Sequence, residues 1–535
     1  MSATAFPVRF PAPPRGVVMS TRGLVVCAHP LAAQAGLAVL RAGGNAFDAA
    51  LATASTLNVV EPNMSHLAGD AFILAYPAKT GEVIAINASG AAPKSATPEA
   101  YHDGIPERGI RAGTVPGIFD GWSTLNERLG TWELERLFES AIEFAENGFP
   151  LTYRLHAKIV ESQADLARFP SSAAVFLAGG TPPRPGSIFR QPNLGRTLRT
   201  LAKGGREAYY QGEIAEAVAR FSREVGGHFT VEDFASHRSE VIAPVQTNYR
   251  GFTVYEQPPV SQGFVLLEAL NLLEGFDLQS SGLGTVETLH RQIECYKLAY
   301  ADRLAFAGDP SRVKWPLRVL LDKEYASRRR REFDPSRASA DTGPGDPQGF
   351  EGDTTYFTVA DRDGNVVSFI QSLFASFGSA VVLGETGMVL NNRLTGFNLK
   401  EGHPNCLEPG KRPIHTLNSY LVLRDGRPYL VSGTRGGHLQ IQLNLQSISN
   451  VLDFALTPQE AIEAPRWSGY GGADVRLEER FVPEVFDGLR ALGHQVSSLP
   501  AWSDNGTLSM IQFDHESGTL MGAADPRGEG VATPW

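Results

Sequence analysis

A break in composition, followed at once by a hairpin, constrains this chain more than any other feature. Residues Asp334 to Asp353 read DPSRASADTGPGDPQGFEGD, with three prolines, four glycines and almost nothing apolar. Such a stretch reads as an exposed, flexible linker, the kind of segment at which chains are cut. Two β-branched and aromatic runs follow, Thr354 to Ala360 and Val366 to Ser372, separated by Asp361-Arg362-Asp363-Gly364-Asn365. If Asp361 pairs with Asn365, the loop has three residues with Gly364 last, in the position that needs a left-handed backbone. Counting outward from that pair sets Thr354 opposite Ser372. In an unbulged antiparallel hairpin, opposite residues share a face with Cα atoms about 4.5–5.5 Å apart. A second hydroxyl is therefore expected beside that of Thr354.

A Thr–Ser cross-strand pair is by itself an ordinary feature of sheets. Its place at the junction changes its meaning. Cleavage between Asp353 and Thr354 would give Thr354 a free α-amine, with a reference pKa of about 7.7–8.0, beside its own hydroxyl. That is a base and a nucleophile on one residue, poised near neutral pH.

Composition limits the remaining possibilities. With 42% apolar and 20% charged residues the chain is globular, neither disordered nor fibrous. Its 535 residues suggest three or four domains at about 150 residues each, a soft prior only. A net charge of −10 argues against sequence-independent capture of nucleic acid or an anionic membrane. Cys27, Cys295 and Cys406 are far apart and odd in number, so neither a zinc ribbon nor a disulfide framework is expected. Met1 to Gly16 holds four prolines and no apolar run long enough for a signal-peptide core or a spanning helix, so the cytoplasm is the expected location.

Along the chain, Ala28 to Val60 predicts two buried helices with a turn at Gly43-Gly44-Asn45. Phe72 to Tyr76 and Val83 to Asn87 predict a hairpin around Lys79-Thr80-Gly81. Helical patterns dominate from Gly117 to Trp315, including an amphipathic Leu134 to Asn147 that stops at Gly148. The basic run Arg328 to Arg331, in an acidic chain and near a helix end, reads as a solvated face.

At this point the sequence resembles the γ-glutamyltranspeptidases, a family of N-terminal nucleophile (Ntn) hydrolases. The resemblance is carried by ordered blocks from about Gly23 to the C-terminus. They are AHPLAAQAGLAVLRAGGNAFDAA (28–50), VVEP (59–62), TVPG (114–117), AIEFAENGFP (141–150), DTTYFTVADRDGNVVSFIQS (353–372), GKRPIHTLN (410–418), GTRGG (433–437), EAPRW (463–467) and GAADPR (522–527). It implies an α+β fold, the four-layer αββα Ntn-hydrolase sandwich, formed jointly by both subunits. It implies a proenzyme that cuts itself between Asp353 and Thr354 into a large subunit, 1–353, and a small catalytic subunit, 354–535. These would form a heterodimer, with a dimer of heterodimers as an open further step. Thr354 would attack an amide carbonyl, Ser372 would assist it, and the Gly436 and Gly437 N–H groups would form the oxyanion hole.

The departures from the family pattern fall in the substrate pocket. Transpeptidases hold the glutamyl α-carboxylate and α-amine with an arginine in the large subunit and with Asn, Gln, Asp and a Ser-Ser pair in the small one. Here those positions are Ser89, Phe374, Arg393, Gly396 and His415-Thr416. Losing the carboxylate at Gly396 removes an acceptor for an ammonium, and a guanidinium at Arg393 attracts a carboxylate instead. The rival for Arg393 is a surface or ion-pair residue. The segments SFIQS, FGS, HTLN and GTxGG are similar to the branch containing oxamate amidohydrolase and other acylases. The expected substrate is a small-molecule amide whose acyl part carries a carboxylate and no α-amine. A γ-glutamyltransferase or glutathione hydrolase is the alternative enzyme, and an uncleaved, inactive binding protein the alternative class.

His415 reads as a hydrogen-bonding wall of the site, and neither His66 nor His438 suggests a metal. Arg435 stands where the family has proline, and would alter the oxyanion loop or add a second positive charge. No phosphate loop, HExxH, GxSxG or dinucleotide motif occurs, so no cofactor and no metal are expected.

Overall fold

Successive residues of a strand face opposite sides of a sheet, and both faces of the predicted hairpin are apolar, so its sheet must be covered twice. The computed structural model, which describes residues 15–340, 353–469, 471–503 and 506–535, bears this out. Strands Asp353–Asp361 and Val366–Phe374 pair antiparallel inside a seven-stranded sheet. Its order is Val531–Pro534, Gly23–Cys27, Asp353–Asp361, Val366–Phe374, Asp70–Tyr76, Ile84–Ala88, Glu240–Ile242.

Alternation sorts the side chains. Phe357, Val359, Val367 and Phe369 enter a core shared with helices Pro30–Arg41 and Ala46–Val60. Leu24, Val26, Leu74, Ala360 and Val366 point the other way, onto Leu421, Val431 and Ile511 of a second sheet. That sheet, also seven-stranded, runs Val18–Ser20, Thr519–Ala524, Leu508–Asp514, Arg427–Thr434, Ser419–Arg424, Phe252–Glu256, Val245–Tyr249. Helices Gly263–Leu273, Val286–Phe306 and Gln440–Leu452 cover its outer side. The result is the expected four-layer αββα sandwich. Both sheets contain strands from before and after position 353, so neither half of the chain owns a core.

The local expectations hold with instructive exceptions. Asn45 caps the second helix, accepting from the Phe47 and Asp48 N–H groups while Asp48 reaches back to its own N–H. The amphipathic segment before Gly148 is two helices, Leu134–Leu137 and Glu139–Asn147, broken at Phe138. The Arg328–Arg331 run is not one solvated face. Arg329 pairs with Asp302 at 3.3 Å, and Arg330 donates to the carbonyls of Leu272 (2.8 Å) and Asn271 (3.1 Å), which ties its helix to the sheet-covering layer. The three thiols are unpaired, with Cys27 and Cys295 buried and Cys406 partly so. Among the described residues no helix is long and apolar enough to cross a membrane. Of the linker expected over 334–353, residues 341–352 lie outside the described residues, as do the first fourteen of the chain.

The hairpin register follows the count from Ala360↔Val366 to Thr355↔Gln371, with Asp361 N–H on the Asn365 carbonyl at 3.1 Å and Gly364 at φ 85°. It then slips. Asp353 pairs with Phe374, so Thr354 alone faces both Ser372 and Leu373; the bulge lies on the Ser372 strand, and the assumption of an unbulged hairpin fails opposite Thr354. Bulges bend a strand and re-aim a side chain, and they recur beside active sites.

Candidate active site

Three neighbouring strands bring three polar residues into one row. Ser372 stands directly opposite Asp70 in the ladder between Val366–Phe374 and Asp70–Tyr76. On its other side the Thr354 hydroxyl donates to Ser372 Oγ at 3.2 Å. Ser372 and Asp70 share the parity of Ile370 and Phe72, so both face the gap between the sheets, above a small cluster of Phe72, Val260, Tyr356, Ile370 and Leu417. Thr355 has the opposite parity and bonds Glu61 Oε2 at 2.8 Å on the helical side. The Ser372 oxygen is the hub of the row, since it also accepts from the Phe374 N–H at 2.7 Å and from Arg393 Nη2 at 3.4 Å. Thr354, Ser372 and Asp70 are all buried.

Arg393 opens a 3₁₀ turn, Arg393–Gly396, and is held through its own N–H on Asn391 Oδ1 at 2.9 Å. Its side chain is only 1% exposed. Nε lies 3.5 Å from Asp70 Oδ2, and the guanidinium sits 4.3 Å from the centre of the Phe374 ring. Asp70 Oδ1 accepts from the Gly90 N–H at 2.7 Å, and His415 Nε2 is 3.9 Å from Asp70 Oδ2. Asp70 Oδ2, Arg393 Nη1, both His415 ring nitrogens and Thr416 Oγ1 make no hydrogen bond among the described residues. Buried polar groups are normally satisfied, so this unspent capacity marks a place for a polar ligand.

Burial dominates the electrostatics. It pushes the Asp70 carboxyl up to about 6 despite the opposing pull of Arg393, and brings Arg393 down to about 10. His415 is driven well below the ordinary histidine range by burial, then by Arg393 and Arg412, and is neutral. Glu61 is raised by burial, against the Thr355 hydrogen bond and the charge of Arg435.

Several sequence expectations change at this point. The positive excess expected at Arg393 is not isolated, because Asp70 supplies its counter-charge. Phe374, expected to touch substrate, stacks on Arg393, so the two unusual residues at those positions form one unit. Its backbone is left-handed at φ 83°, an outlier for a bulky residue of the kind found at functional sites. The Ser89 hydroxyl is engaged by Asn87 Oδ1 at 2.6 Å, and that loop reaches the row through Gly90. At Gly396 an added Cβ would lie 3.2 Å from Pro413 Cβ and 3.3 Å from the Ile414 carbonyl oxygen, so a carboxylate side chain there requires neighbours to shift.

The Gly436–Gly437 loop follows strand Arg427–Thr434 and leads into helix Gln440–Leu452, with φ of 120° and 55° that only glycine adopts readily. It is tied to the row through Arg435, whose Nη1 lies 3.8 Å from Met64 Sδ, while the Met64 carbonyl accepts from the Leu373 N–H at 3.0 Å. Arg435 is buried, and its charge acts on Glu61. Asp70 and Glu61 were missed in the sequence. The usable signal for Asp70 was a lone acid heading the apolar run Ala71 to Tyr76.

A buried hairpin at the heart of an αββα sandwich is the architecture of the Ntn-hydrolase class. Comparison with known proteins narrows the class. The family model for gamma-glutamyltranspeptidase matches residues 32–535. The Glutathione hydrolase-like YwrD proenzyme of Bacillus subtilis is 40% identical over 524 residues, covering 96% of this chain and 99% of its own. The Oxamate amidohydrolase proenzyme of Klebsiella pneumoniae is 37% identical over 530 residues, covering 96% and 98%. The crystal structure of cephalosporin acylase from Bacillus halodurans superposes with a TM-score of 0.92 at 36% identity, covering 98% of both chains. The chain belongs to the γ-glutamyltranspeptidase family, and it is an enzyme.

Proposed function

We propose that this protein is a self-processing amidohydrolase, with Thr354 as nucleophile, acting on an amide whose acyl part carries a carboxylate and no α-amine. The observation that carries it is the row Thr354–Ser372–Asp70 with Arg393 donating into its centre.

In the processing step Thr354 Oγ attacks the Asp353 carbonyl carbon, and the C–N bond breaks with the hydroxyl proton passing to the Thr354 nitrogen. Water then cleaves the resulting ester, its hydroxyl going to the Asp353 acyl group and its proton to Thr354 Oγ. The products are chains 1–353 and 354–535, the latter with a Thr354 α-amine. Interleaved strands hold the two pieces together as a heterodimer, which is open to pairing with a second copy. In turnover the α-amine takes the proton of the Thr354 hydroxyl while Oγ attacks the substrate carbonyl. The oxyanion draws on the Gly436 and Gly437 N–H groups at the head of helix Gln440–Leu452. The leaving amine takes the proton, and water then cleaves the acyl ester. Ser372 accepts from the nucleophile and keeps its oxygen on one line of approach.

Three features support the choice of acyl group. Arg393 Nη1 is a buried donor with no hydrogen-bond partner among the described residues, and its charge acts on a neutral His415. Gly396 leaves no acceptor for an ammonium. The carboxylate that is present, Asp70, is held through Oδ1 by the Gly90 N–H, and at Oδ2 a substrate ammonium would have to compete with the Arg393 guanidinium. A carboxylate substrate meets Asp70 as a like charge, and a group already raised to about 6 takes up a proton to accommodate it.

The test is a panel of amides (oxamate, glutamine, glutathione and glutaryl amides) read by ammonia or amine release. Turnover of α-amine-free carboxylate amides well above glutathione supports the proposal. Efficient glutathione cleavage accelerated by a dipeptide acceptor would favour a γ-glutamyltransferase instead.

A further inference from the structure

Away from the row, helix Val286–Phe306 carries His290 and Glu294 one turn apart on a single face. His494, in the turn before strand Gln495–Leu499, brings its Nε2 to 2.9 Å from His290 Nδ1 and 4.0 Å from Glu294 Oε1. We propose that His290, Glu294 and His494 form a binding site for a divalent transition-metal ion of the zinc class, fastening the segments before and after position 353 to one another.

The surroundings suit that role. His290 Nε2 lies 2.9 Å from the Asp334 carbonyl oxygen, which can only accept, so this nitrogen carries the proton and Nδ1 turns a lone pair toward the cluster. A metal-binding imidazole is typically oriented in this way, through its second nitrogen on a carbonyl. Glu294 is oriented likewise, its Oε2 accepting from the Ser339 N–H at 3.2 Å. All three ligands are buried. His494 Nδ1 has no partner among the described residues, so the proton that now joins the two rings can move there and free Nε2. A tetrahedral ion with bonds of about 2.0–2.1 Å needs nitrogens about 3.3 Å apart, so the ring pair opens by roughly half an ångström. His494 also lines a cavity of about 660 Å³ with Asp474, Arg490 and Gln495, which gives entry and room for a water as fourth ligand. The N₂O donor set selects zinc-like ions over calcium and magnesium.

Lys297 is the competing cation. Its Nζ lies 2.8 Å from Glu294 Oε1 and 3.0 Å from the Ser339 carbonyl. An incoming dication takes Glu294 Oε1, leaving Lys297 on Ser339. Lys297 thus becomes a diagnostic, because removing it must help the metal if the site is real.

The experiment uses the full chain after chelator dialysis, titrated with Zn²⁺ by calorimetry and with Co²⁺ by visible absorption. One equivalent of Zn²⁺ is expected, with a four-coordinate Co²⁺ spectrum that Zn²⁺ displaces and no response to Mg²⁺ or Ca²⁺. Glu294→Gln and His494→Ala should each weaken binding by at least about tenfold, and Lys297→Met should tighten it. No one-equivalent binding in the parent protein would overturn the proposal, as would unchanged affinity in Glu294→Gln together with no gain in Lys297→Met. Glu294→Gln and Lys297→Met decide the matter even if His494→Ala fails to fold. None of these readouts uses amide turnover, so the outcome is separate from that of the proposal for Thr354.

Discussion

Asp70 and Arg393 face one another in the interior, Oδ2 to Nε at 3.5 Å, and their pairing places a titratable group two strands from Thr354, with the Ser372 strand between. Asp70 stands opposite Ser372, and Arg393 donates to the same Ser372 oxygen that accepts from the Thr354 hydroxyl, so the charge state of the pair bears on that hydroxyl.

The first prediction is a pH dependence of substrate affinity. Asp70 is ionised above about 6, and an ionised Asp70 repels a carboxylate substrate. KM for such a substrate should therefore rise as pH increases through 6, by up to about tenfold per unit at the limit. Asp70→Asn should flatten that rise, measured as KM against pH from 5 to 8, about the range in which the switch acts. Stability has the same sign. The carboxyl holds its proton more tightly folded than unfolded, so the native state loses stability as pH climbs from 3.8 to about 6, and Asp70→Asn removes that loss.

Ser372→Ala removes the acceptor for three donors at once, the Thr354 hydroxyl, the Phe374 N–H and Arg393 Nη2. Activity should fall about 10²-fold or more in kcat, and unpaired buried donors should cost roughly 1–3 kcal/mol in unfolding free energy. Steady-state kinetics and a denaturant titration check the two parts.

Arg393→Gln tests the acyl preference. It keeps a donor and removes the charge, so turnover of carboxylate amides should drop by at least about tenfold in kcat/KM while neutral amides gain relative to them. The comparison of one carboxylate and one neutral amide on both proteins reads it.

Gly436→Ala places a side chain at φ 120°, where an L-residue is strained. The oxyanion loop should shift, with kcat lower by about 10²-fold and KM little changed.

How much of this was legible beforehand depends on range. The hairpin from Thr355 to Gln371 could be counted, because a three-residue turn with Gly364 at its end fixes register locally. The bulge at Ser372-Leu373, opposite Thr354, could not, since it is set where Asp353 meets Phe374 and not by the turn. Thr354, Ser372 and Gly436-Gly437 stand in motifs. Asp70 does not. Its partnership with Arg393 joins residues far apart in sequence through the sheet order, and a charge argument built on Arg393 alone missed its counter-ion. The domain prior of three or four also failed, because strands from either side of position 353 share both sheets.

Processing underlies everything proposed for Thr354, and intact mass spectrometry of the purified protein tests it in one step. Two chains meeting between Asp353 and Thr354, with Thr354 as a new amino terminus, are expected, and Thr354→Ala should remain whole and inactive. A single species of 57.7 kDa that persists on incubation while the protein cleaves amides would contradict it.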